Sequence, residues 1–273
     1  QLAIDRRLTM IAWEAMNHWT PDGAFSLHVF HKNNELAGYC SVLHALQLRG
    51  TSGHYGLQLK AAVISFGATG RGAVAALIAL GVHDINVLTN RRVAAVGAPM
   101  PPARLVHYDR DDAHPAGRPA LTHPDRGPLA EYLARHDIVV NCVLQDTDDP
   151  LMFVTGEDLD LFQRGSVIVD VSCDVGMGFE WARPTSFAEP IVTVGPGVHY
   201  YAVDHSPSYL WNSATWEISE ALIPHLRAVM SGPDAWGASD TIRRAIEIRD
   251  GVVQNPLVLS FQDREPDYPH SRR

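Results

Sequence analysis

The sequence is poor in cysteine, and this scarcity limits both the fold and the location of the protein. Its 273 residues include three cysteines, Cys40, Cys142 and Cys173, which lie far apart along the chain. Because the number is odd and no CxxC pair occurs, neither a disulfide framework nor a structural zinc site is expected. A chain without disulfides suits a reducing compartment, and we predict a cytoplasmic location.

Long hydrophobic runs and excess positive charge are also missing. The longest apolar stretch, residues 72–82, is bounded by Arg71 and His83 and is too short to span a bilayer. The chain has 22 Lys and Arg against 31 Asp and Glu, which gives a net charge of −9. A net-acidic chain is a poor candidate for binding nucleic acid or anionic membranes. With 46% hydrophobic and 19% charged residues, the composition is that of a globular protein.

One segment follows the pattern of a βαβ unit. A short apolar run at 60–66 is followed by a glycine turn at 67–70, an Ala- and Leu-rich helix at 71–81 and a second apolar run at 84–89. Such a unit seeds a parallel sheet that helices cover. We therefore predict an α/β fold with a Rossmann-type, doubly wound parallel sheet.

The glycine turn lies where a dinucleotide-binding turn belongs, between a strand and the helix that follows it. Gly67 lets the backbone approach a pyrophosphate, Gly70 lets the helix pack on the strand, and the helix N-terminus supplies N–H donors. Ser65 replaces the first glycine of the usual GxGxxG pattern. We predict that the cofactor-binding turn consists of Ser65, Gly67, Ala68, Thr69 and Gly70. The alternative is a tight turn whose glycines serve packing alone.

The end of the second strand predicts the choice of cofactor. Proteins that bind NAD usually carry Asp or Glu there, which holds the ribose hydroxyl groups. This chain instead carries Thr89, Asn90, Arg91 and Arg92, all predicted to bind the cofactor. Two guanidinium groups without a carboxylate favour the 2′-phosphate of NADP, which we predict as the cofactor. The alternative is that both arginines belong to a solvated loop.

The remaining patterns predict a central nucleotide-binding domain between two pieces of a second α/β domain. Residues 51–205 are predicted to be the NADP-binding Rossmann domain. Residues 1–50 are predicted to hold a first piece of a discontinuous, incomplete catalytic domain and a linking helix at 33–49. Residues 206–273 are predicted to hold a second linking helix, at 209–230, and the C-terminal piece of that domain.

Three segments have weaker patterns. Residues 90–128 are rich in Pro, His and Arg and are predicted to be mostly loop. Residues 239–249 suggest one more helix. The tail after Gln262 is polar and is predicted to fray.

Polar residues follow two predicted strands, at the sheet edge where open α/β sheets bind ligands. Asp174 comes just after an apolar strand, and we predict that it is a catalytic carboxylate; the alternative is a helix cap or a loop residue. His205 is predicted to supply a proton or to line the nicotinamide pocket, with a structural role as the alternative. Asp204 is predicted to border the cofactor, with helix capping as the alternative.

A third apolar strand, at 137–144, leads into further cofactor candidates. We expect the backbone at its end to border the nicotinamide ribose. The predicted cofactor-binding residues there are Cys142, Val143, Leu144 and Gln145.

Two other polar groups contain residue types that can bind a metal or a substrate. The run Asp146, Asp148 and Asp149 precedes a proline and is interpreted as a solvated turn, so no metal site is predicted. Arg183 is a candidate anchor for a substrate carboxylate, and the alternative is a surface ion pair.

Longer stretches of the chain resemble a known superfamily. Residues 170–190 read DVSCDVGMGFEWARPTSFAEP, and residues 200–219 read YYAVDHSPSYLWNSATWEIS. With 33–50, 63–73, 138–153 and 239–264, they are similar to the alanine dehydrogenase and transhydrogenase superfamily, which also contains the lysine-forming saccharopine dehydrogenases. Within it the chain most resembles the N5-(carboxyethyl)ornithine synthases.

The resemblance implies a reductive condensation. A 2-oxo acid such as pyruvate forms an imine with the amine of an amino acid such as ornithine or lysine, and NADPH delivers hydride to the imine carbon. The product is a secondary amine of the opine type. On this resemblance Asp174 matches the catalytic Asp of alanine dehydrogenases. It further implies small-molecule partners, with no nucleic acid and no membrane, and a homo-oligomer.

Two alternatives stay open at this point. One is the alanine dehydrogenase reaction, in which ammonia replaces the amino acid, and the other is a non-catalytic NADP-binding subunit. Members of the superfamily hold the oxo-acid carboxylate with basic side chains that precede the position matching Gln1. We therefore expect those side chains outside residues 1–273, in a preceding segment or in a partner chain.

Overall fold

The computed structural model describes residues 1–91, 100–110, 119–121 and 127–273. Its α-helices are α1 (Leu2–Asp5), α2 (His31–Leu48), α3 (Ala68–Ala79), α4 (Leu129–Leu133), α5 (Trp211–Met230), α6 (Pro233–Ala238), α7 (Asp240–Arg243) and α8 (Pro256–Phe261). Within these described ranges, no helix combines the length and the apolar character needed to cross a membrane.

The β-strands are short. They are β1 (Met10–Ile11), β2 (Asn17–Trp19), β3 (Phe25–His28), β4 (Lys60–Ile64), β5 (Asp84–Thr89), β6 (Arg104–Arg110), β7 (Pro119–Leu121), β8 (Ile138–Asn141), β9 (Met152–Val154), β10 (Val167–Asp170), β11 (Gly178–Phe179), β12 (Ile191–Val194), β13 (Val198–Tyr201), β14 (Ile246–Arg249) and β15 (Val252–Val253). Turns of 3-10 helix lie at Trp13–Ala15, Gly156–Leu161 and Ser206–Leu210.

Eight of these strands form one sheet, in the order β12-β13-β10-β8-β4-β5-β6-β7. The strands from β13 to β6 are parallel, whereas β12 and β7 pair antiparallel at the two edges. Numbered along the chain, the parallel strands β6-β5-β4-β8-β10-β13 have the order 3-2-1-4-5-6, which is that of doubly wound dinucleotide-binding folds. The predicted Rossmann-type α/β fold is confirmed.

Both faces of this sheet are buried. Successive side chains of a strand point to opposite faces, and each face packs into its own hydrophobic cluster. In β4, Ala61 and Val63 belong to one hydrophobic cluster, and Ala62 and Ile64 belong to another. Residues of α2 and α3 complete the first cluster, and residues of α4 contribute to the second. The central strands are mostly apolar because helices cover them on both sides.

Two glycines let α2 and α3 pack backbone against backbone. A Cβ atom at Gly72 would lie 1.8 Å from the carbonyl oxygen of Glu35, and one at Gly38 would lie 1.9 Å from that of Thr69. Any side chain at either position would force the helices apart. This contact fixes the helix that follows the glycine turn against the helix that precedes the sheet.

The turn between β4 and α3 holds a residue in an unusual conformation. Ser65 has a φ of +85°, in the region that favours glycine, at the position where the usual pattern has its first glycine. Gly70 lies directly against it, since a Cβ there would be 2.3 Å from the Ser65 carbonyl oxygen. The N–H of Gly67 donates to Ser65 Oγ at 3.4 Å. The tight turn is therefore kept although a serine occupies it.

Contacts divide the chain into a larger unit, Asn33–Ala214, and a smaller unit made of Gln1–Lys32 and Thr215–Arg273. These limits differ from the boundaries after residues 50 and 205 that the sequence suggested. Most of α2 lies with the larger unit because its backbone packs on α3. Residues 206–214 lie there too, where Ser206 Oγ donates to the Ala37 carbonyl oxygen at 3.1 Å.

The smaller unit has its own modest core. Strands β1, β14 and β15 form one antiparallel sheet, and β2 pairs with β3. The buried side chains at its centre are Met16, Val29, Phe30 and Ala245.

Two segments contain strands although the sequence pattern predicted loop or helix there. β6 and β7 lie in the stretch 90–128, which is predicted to be mostly loop and is described only in part, and β6 pairs with β5 in the large sheet. β14 lies in the segment predicted to be a helix, of which only Asp240–Arg243 is helical, and it pairs with β1. The helix prediction was wrong, and the loop prediction missed β6 and β7, because pairing with a neighbouring strand decides the conformation of such short, charged segments.

The tail after Gln262 does not fray, so that prediction was also wrong. His270 is 1% exposed and Arg264 is 4% exposed. Arg264 Nη1 donates to the His270 carbonyl oxygen at 2.9 Å, and His270 Nε2 accepts from the Val253 N–H at 3.1 Å. These hydrogen bonds attach a polar sequence to β15 without any apolar pattern.

Replacing Ser65 by glycine tests whether the positive φ stores strain. We expect Ser65→Gly to raise the free energy of unfolding by about 1 kcal/mol, because glycine adopts this conformation without a steric penalty. Ser65→Ala keeps the strained backbone and removes the Oγ acceptor, so it serves as the matched control and should be less stable than the wild type. Urea denaturation measures both values. A glycine variant less stable than the alanine variant would contradict this account.

Candidate functional site

Four predicted site segments leave the sheet at the same edge. The parallel strands β4, β8, β10 and β13 lie in the order β13-β10-β8-β4, so the residues that follow them emerge together. These residues are the glycine turn, 142–145, 171–174 and 202–205. The strand order reverses between β4 and β8, and open α/β sheets bind their ligands at such a switch point.

The turn after β4 has room for a phosphate group. Gly67 is the N-cap of α3, and the nearest atom to the place where its Cβ would lie is Ser65 Oγ, at 3.8 Å. Ala68, Thr69 and Gly70 form the first turn of the helix, where N–H groups lack partners within the helix. An open turn at the positive end of a helix fits the pyrophosphate of a dinucleotide.

The end of β5 carries the residues predicted to select the cofactor. Thr89 is buried, and its Oγ1 accepts a hydrogen bond from the Arg91 N–H at 3.1 Å. The side chains of Asn90 and Arg91 are exposed. Arg92 lies outside the described residues. The described part of this loop is therefore accessible to a ligand and carries a guanidinium group.

The loop after β8 combines a buried thiol with an exposed apolar side chain. Cys142 is buried, and desolvation raises the pKa of its thiol above the usual range. Leu144 is 94% exposed, which is unusual for leucine beside a strand end. Gln145 Oε1 accepts from the Leu151 N–H at 3.0 Å, and Asn141 Oδ1 accepts from the Val143 N–H at 3.2 Å. The loop thus has fixed ends and an exposed apolar tip.

Asp174 lies on the loop after β10, with its side chain exposed. Its carbonyl oxygen accepts from the Met177 N–H at 3.1 Å, so the chain makes a turn there, and no helix begins at Asp174 for it to cap. Protein atoms around the carboxyl still desolvate it in part, and this raises its pKa above the usual range. A carboxyl group of this kind exchanges protons closer to neutral pH than an ordinary aspartate does.

The loop after β13 brings a histidine and a carboxylate into contact. His205 Nδ1 and Asp204 Oδ1 form a hydrogen bond, and both side chains are about half exposed. The His205 ring packs edge-on against Phe187, with ring centroids 5.0 Å apart. The cap position before Ser206–Leu210 is His205, without a side-chain cap, so Asp204 does not cap this turn. Its carboxylate orients the imidazole instead.

Sequence reasoning missed Asp170, which ends β10 and is fully buried. Its carboxylate accepts hydrogen bonds from Tyr200 Oη at 2.7 Å, Asn141 Nδ2 at 2.9 Å and the Cys173 N–H at 3.1 Å. Burial raises its pKa to about 6, although the three donors act in the opposite direction. An acidic residue at the end of an otherwise apolar strand was the available signal, because a buried carboxylate needs such partners.

The remaining polar candidates lie on exposed turns. Asp149 pairs with Arg110, whose Nη2 lies 2.7 Å from Oδ1, and this guanidinium lowers the pKa of Asp149. Asp146 Oδ1 accepts from the Asp148 N–H at 3.0 Å. The Arg183 side chain is exposed. Across the described ranges, no three His, Cys, Asp or Glu side chains are grouped so as to hold a metal ion.

The known proteins that this chain resembles include alanine dehydrogenases of two bacteria. An alanine dehydrogenase of Mycolicibacterium smegmatis is 26% identical over 276 residues, covering 93% of this chain and 68% of that protein. Alanine dehydrogenase 1 of Staphylococcus aureus is 25% identical over 137 residues, covering 50% of this chain and 37% of that protein. The chain thus spans from about a third to about two thirds of the length of these relatives.

Solved structures agree on the fold. An L-alanine dehydrogenase has a TM-score of 0.67 at 20% identity, over 94% of this chain and 69% of that one. The transhydrogenase from Sinorhizobium meliloti has a TM-score of 0.61 at 22% identity, over 92% of this chain and 67% of that one. The narrower likeness to N5-(carboxyethyl)ornithine synthases stays a prediction.

A family model assigns the chain to a family. The model described as "Alanine dehydrogenase/PNT, C-terminal domain" matches residues 54–256, which include the glycine turn, Asp174 and His205. The match covers most of the chain and all four strand ends of the candidate site. The chain therefore belongs to the alanine dehydrogenase/PNT C-terminal domain family.

Proposed function

We propose that this chain is the nucleotide-binding and proton-transferring part of an NADPH-dependent oxidoreductase that reduces an imine formed from a 2-oxo acid such as pyruvate. The observation that carries the proposal is the convergence of the glycine turn, Asp174 and His205 at one sheet edge. Two further facts support it: the family binds a nicotinamide nucleotide, and the relatives are named alanine dehydrogenases, which act on CH–NH groups.

Ammonia is the amine that we favour, because the named relatives are alanine dehydrogenases. The product would then be alanine. An amino acid amine, as in ornithine or lysine, is the second candidate and would give a secondary amine of the opine type. The stretches 170–190 and 200–219 favour this second candidate, since they resemble the amino-acid-condensing branch of the superfamily.

The residues of the site have separate tasks in such a reaction. The nicotinamide cofactor, when bound, supplies hydride to the imine carbon. Forming the imine releases water, and reducing it requires a proton on nitrogen, so a group that exchanges protons near neutral pH is needed. Asp174 has the raised pKa for this task. His205 is oriented through Nδ1 by Asp204, which leaves Nε2 as its second proton-carrying atom.

The arginines that follow β5 favour NADPH over NADH as the cofactor. Arg91 is exposed at the end of β5, and Arg92 follows it in the sequence. A guanidinium group binds a phosphate with two parallel hydrogen bonds, whereas NADH offers only ribose hydroxyls at that place. We propose that these two arginines hold the 2′-phosphate.

Removing the two arginines should change the cofactor preference. We expect Arg91→Gln with Arg92→Gln to weaken NADPH binding by about tenfold or more, because two charge-assisted contacts are lost. NADH binding should stay within about twofold of the wild type. Arg135→Gln removes an exposed cation elsewhere and is the matched control. Calorimetric titration with each nucleotide gives the affinities. A wild-type protein that binds NADH tenfold more tightly than NADPH would contradict the proposal.

Oxidation of NADPH tests the reaction itself. Purified protein is supplied with pyruvate alone, with pyruvate and ammonia, and with pyruvate and ornithine or lysine. We expect turnover with ammonia, and we expect Asp174→Asn to lower kcat by about a hundredfold because the proton-transferring carboxyl is gone. NADPH affinity should not change. Asp160→Asn removes an exposed carboxylate on the Gly156–Leu161 turn and is the matched control.

Each outcome of this assay has a definite meaning. Turnover that requires a diamino acid would replace ammonia with the second candidate. Tight NADPH binding without turnover under any condition would refute the proposed reaction and favour a non-catalytic NADP-binding subunit. Full activity in Asp174→Asn would remove Asp174 from the mechanism.

A further inference from the structure

Asp170 lies behind the candidate site and does not reach its surface. It is fully buried at the end of β10, and its side-chain hydrogen-bond partners come from the neighbouring strands β8 and β13. We infer that Asp170 is a positioning residue, which holds the loop of Asp174 and the loop after β8 in one fixed arrangement. The inference rests on the proposed function, because it assigns Asp170 a role in placing Asp174.

The first connection runs from Asp170 to Asp174. The Cys173 N–H donates to Asp170 Oδ1 at 3.1 Å, and Cys173 has a positive φ of +48°. Residues other than glycine rarely adopt that conformation, so a hydrogen bond at this N–H helps to hold it. Since Cys173 directly precedes Asp174, the Asp170 carboxylate fixes the backbone from which the Asp174 side chain projects.

The second connection runs from Asp170 to the loop after β8. Asn141 Nδ2 donates to Asp170 Oδ1 at 2.9 Å, and Asn141 Oδ1 accepts from the Val143 N–H at 3.2 Å. Ser172 Oγ donates to the Val143 carbonyl oxygen at 2.6 Å. The Val143 carbonyl is thus bonded directly to Ser172, and its N–H is connected to Asp170 through the Asn141 side chain. A shift of Asp170 would therefore move both loops.

Tyr200 completes the network from the other side. Its hydroxyl donates to Asp170 Oδ2 at 2.7 Å and accepts from the Arg183 N–H at 3.3 Å. The titratable groups that act on Asp170 electrostatically are Tyr200 on β13, Cys142 after β8, and Cys173 and Asp174 on its own loop. The charge of Asp174 adds to the raised pKa of Asp170, whereas desolvation raises the pKa of Asp174. If the loop after β10 loses its fixed position, Asp174 should lose part of that desolvation, and its pKa should fall toward the ordinary value.

If Asp170 only stabilised the sheet, the result would be different. Two adjacent tyrosines allow an experiment that distinguishes this structural role from the positioning of Asp174. Tyr200 and Tyr201 are adjacent on β13 and both fully buried. Tyr201 Oη is hydrogen-bonded to His44 Nδ1 at 3.1 Å, on the opposite face of the sheet from Tyr200. Tyr200→Phe and Tyr201→Phe each remove one buried hydroxyl, but only the first loses a bond to Asp170.

The experiment compares Asp170→Asn, Tyr200→Phe and Tyr201→Phe in the full chain. We expect the first two variants to lower kcat by about tenfold or more with little change in KM for pyruvate, because Asp174 loses its position. Tyr201→Phe should stay within about twofold of the wild type. Carbon-13 NMR of the aspartate carboxyl groups follows the ionisation of Asp174, whose signal is assigned by its loss in Asp174→Asn. We expect Asp170→Asn to lower the pKa of Asp174.

Two results would overturn the inference. One is an Asp174 titration that is the same in Asp170→Asn and in the wild type. The other is an equal effect of the two tyrosine substitutions on kcat. If Asp170→Asn does not fold, the kcat values of the two tyrosine variants decide whether Asp170 is a positioning residue. If the wild type has no turnover with any amine, the proposed function fails, and the NMR titration alone decides the role of Asp170.

Discussion

The register of three parallel strands is the constraint on which the candidate site depends. Backbone hydrogen bonds place Ile64, Asn141 and Asp170 level with one another at the ends of β4, β8 and β10. The next residue on each strand therefore leaves the sheet at the same height. Because of this alignment, residues that are far apart in sequence, such as Ser65 in the glycine turn and Asp174, emerge at one edge.

The same alignment explains why polar residues end strands that are otherwise apolar. A buried carboxylate without partners would destabilise the sheet, and each unpaired buried polar group costs about 1–3 kcal/mol. Asp170 avoids that cost because Asn141 ends β8 at the matching position and the hydroxyl of Tyr200 reaches it from β13. The network links the two loops of the proposed site within the larger unit, so the stability of the sheet edge and the geometry of the site are coupled.

The local sequence was sufficient to predict some helices and strands and insufficient to predict others. The βαβ unit was predicted correctly because its strand, glycine turn and helix are contiguous and carry their own signals, and β5 has the predicted bounds. β6 and β14 were missed because their charged sequences become strands through pairing with β5 and β1. The burial of His270 depends on a hydrogen bond to Val253, which no local pattern shows. Asp170 was missed for a related reason: its partners come from two other strands.

The central claim is that a nicotinamide nucleotide binds at the ends of β4, β8 and β10. Hydrogen–deuterium exchange of the full chain, with and without NADPH, tests it most directly. The account predicts slower exchange in the presence of NADPH at 65–71 and 142–145, with a smaller effect at 171–174. Protection confined to 1–32 or 215–273, or no protection at saturating NADPH, would contradict it.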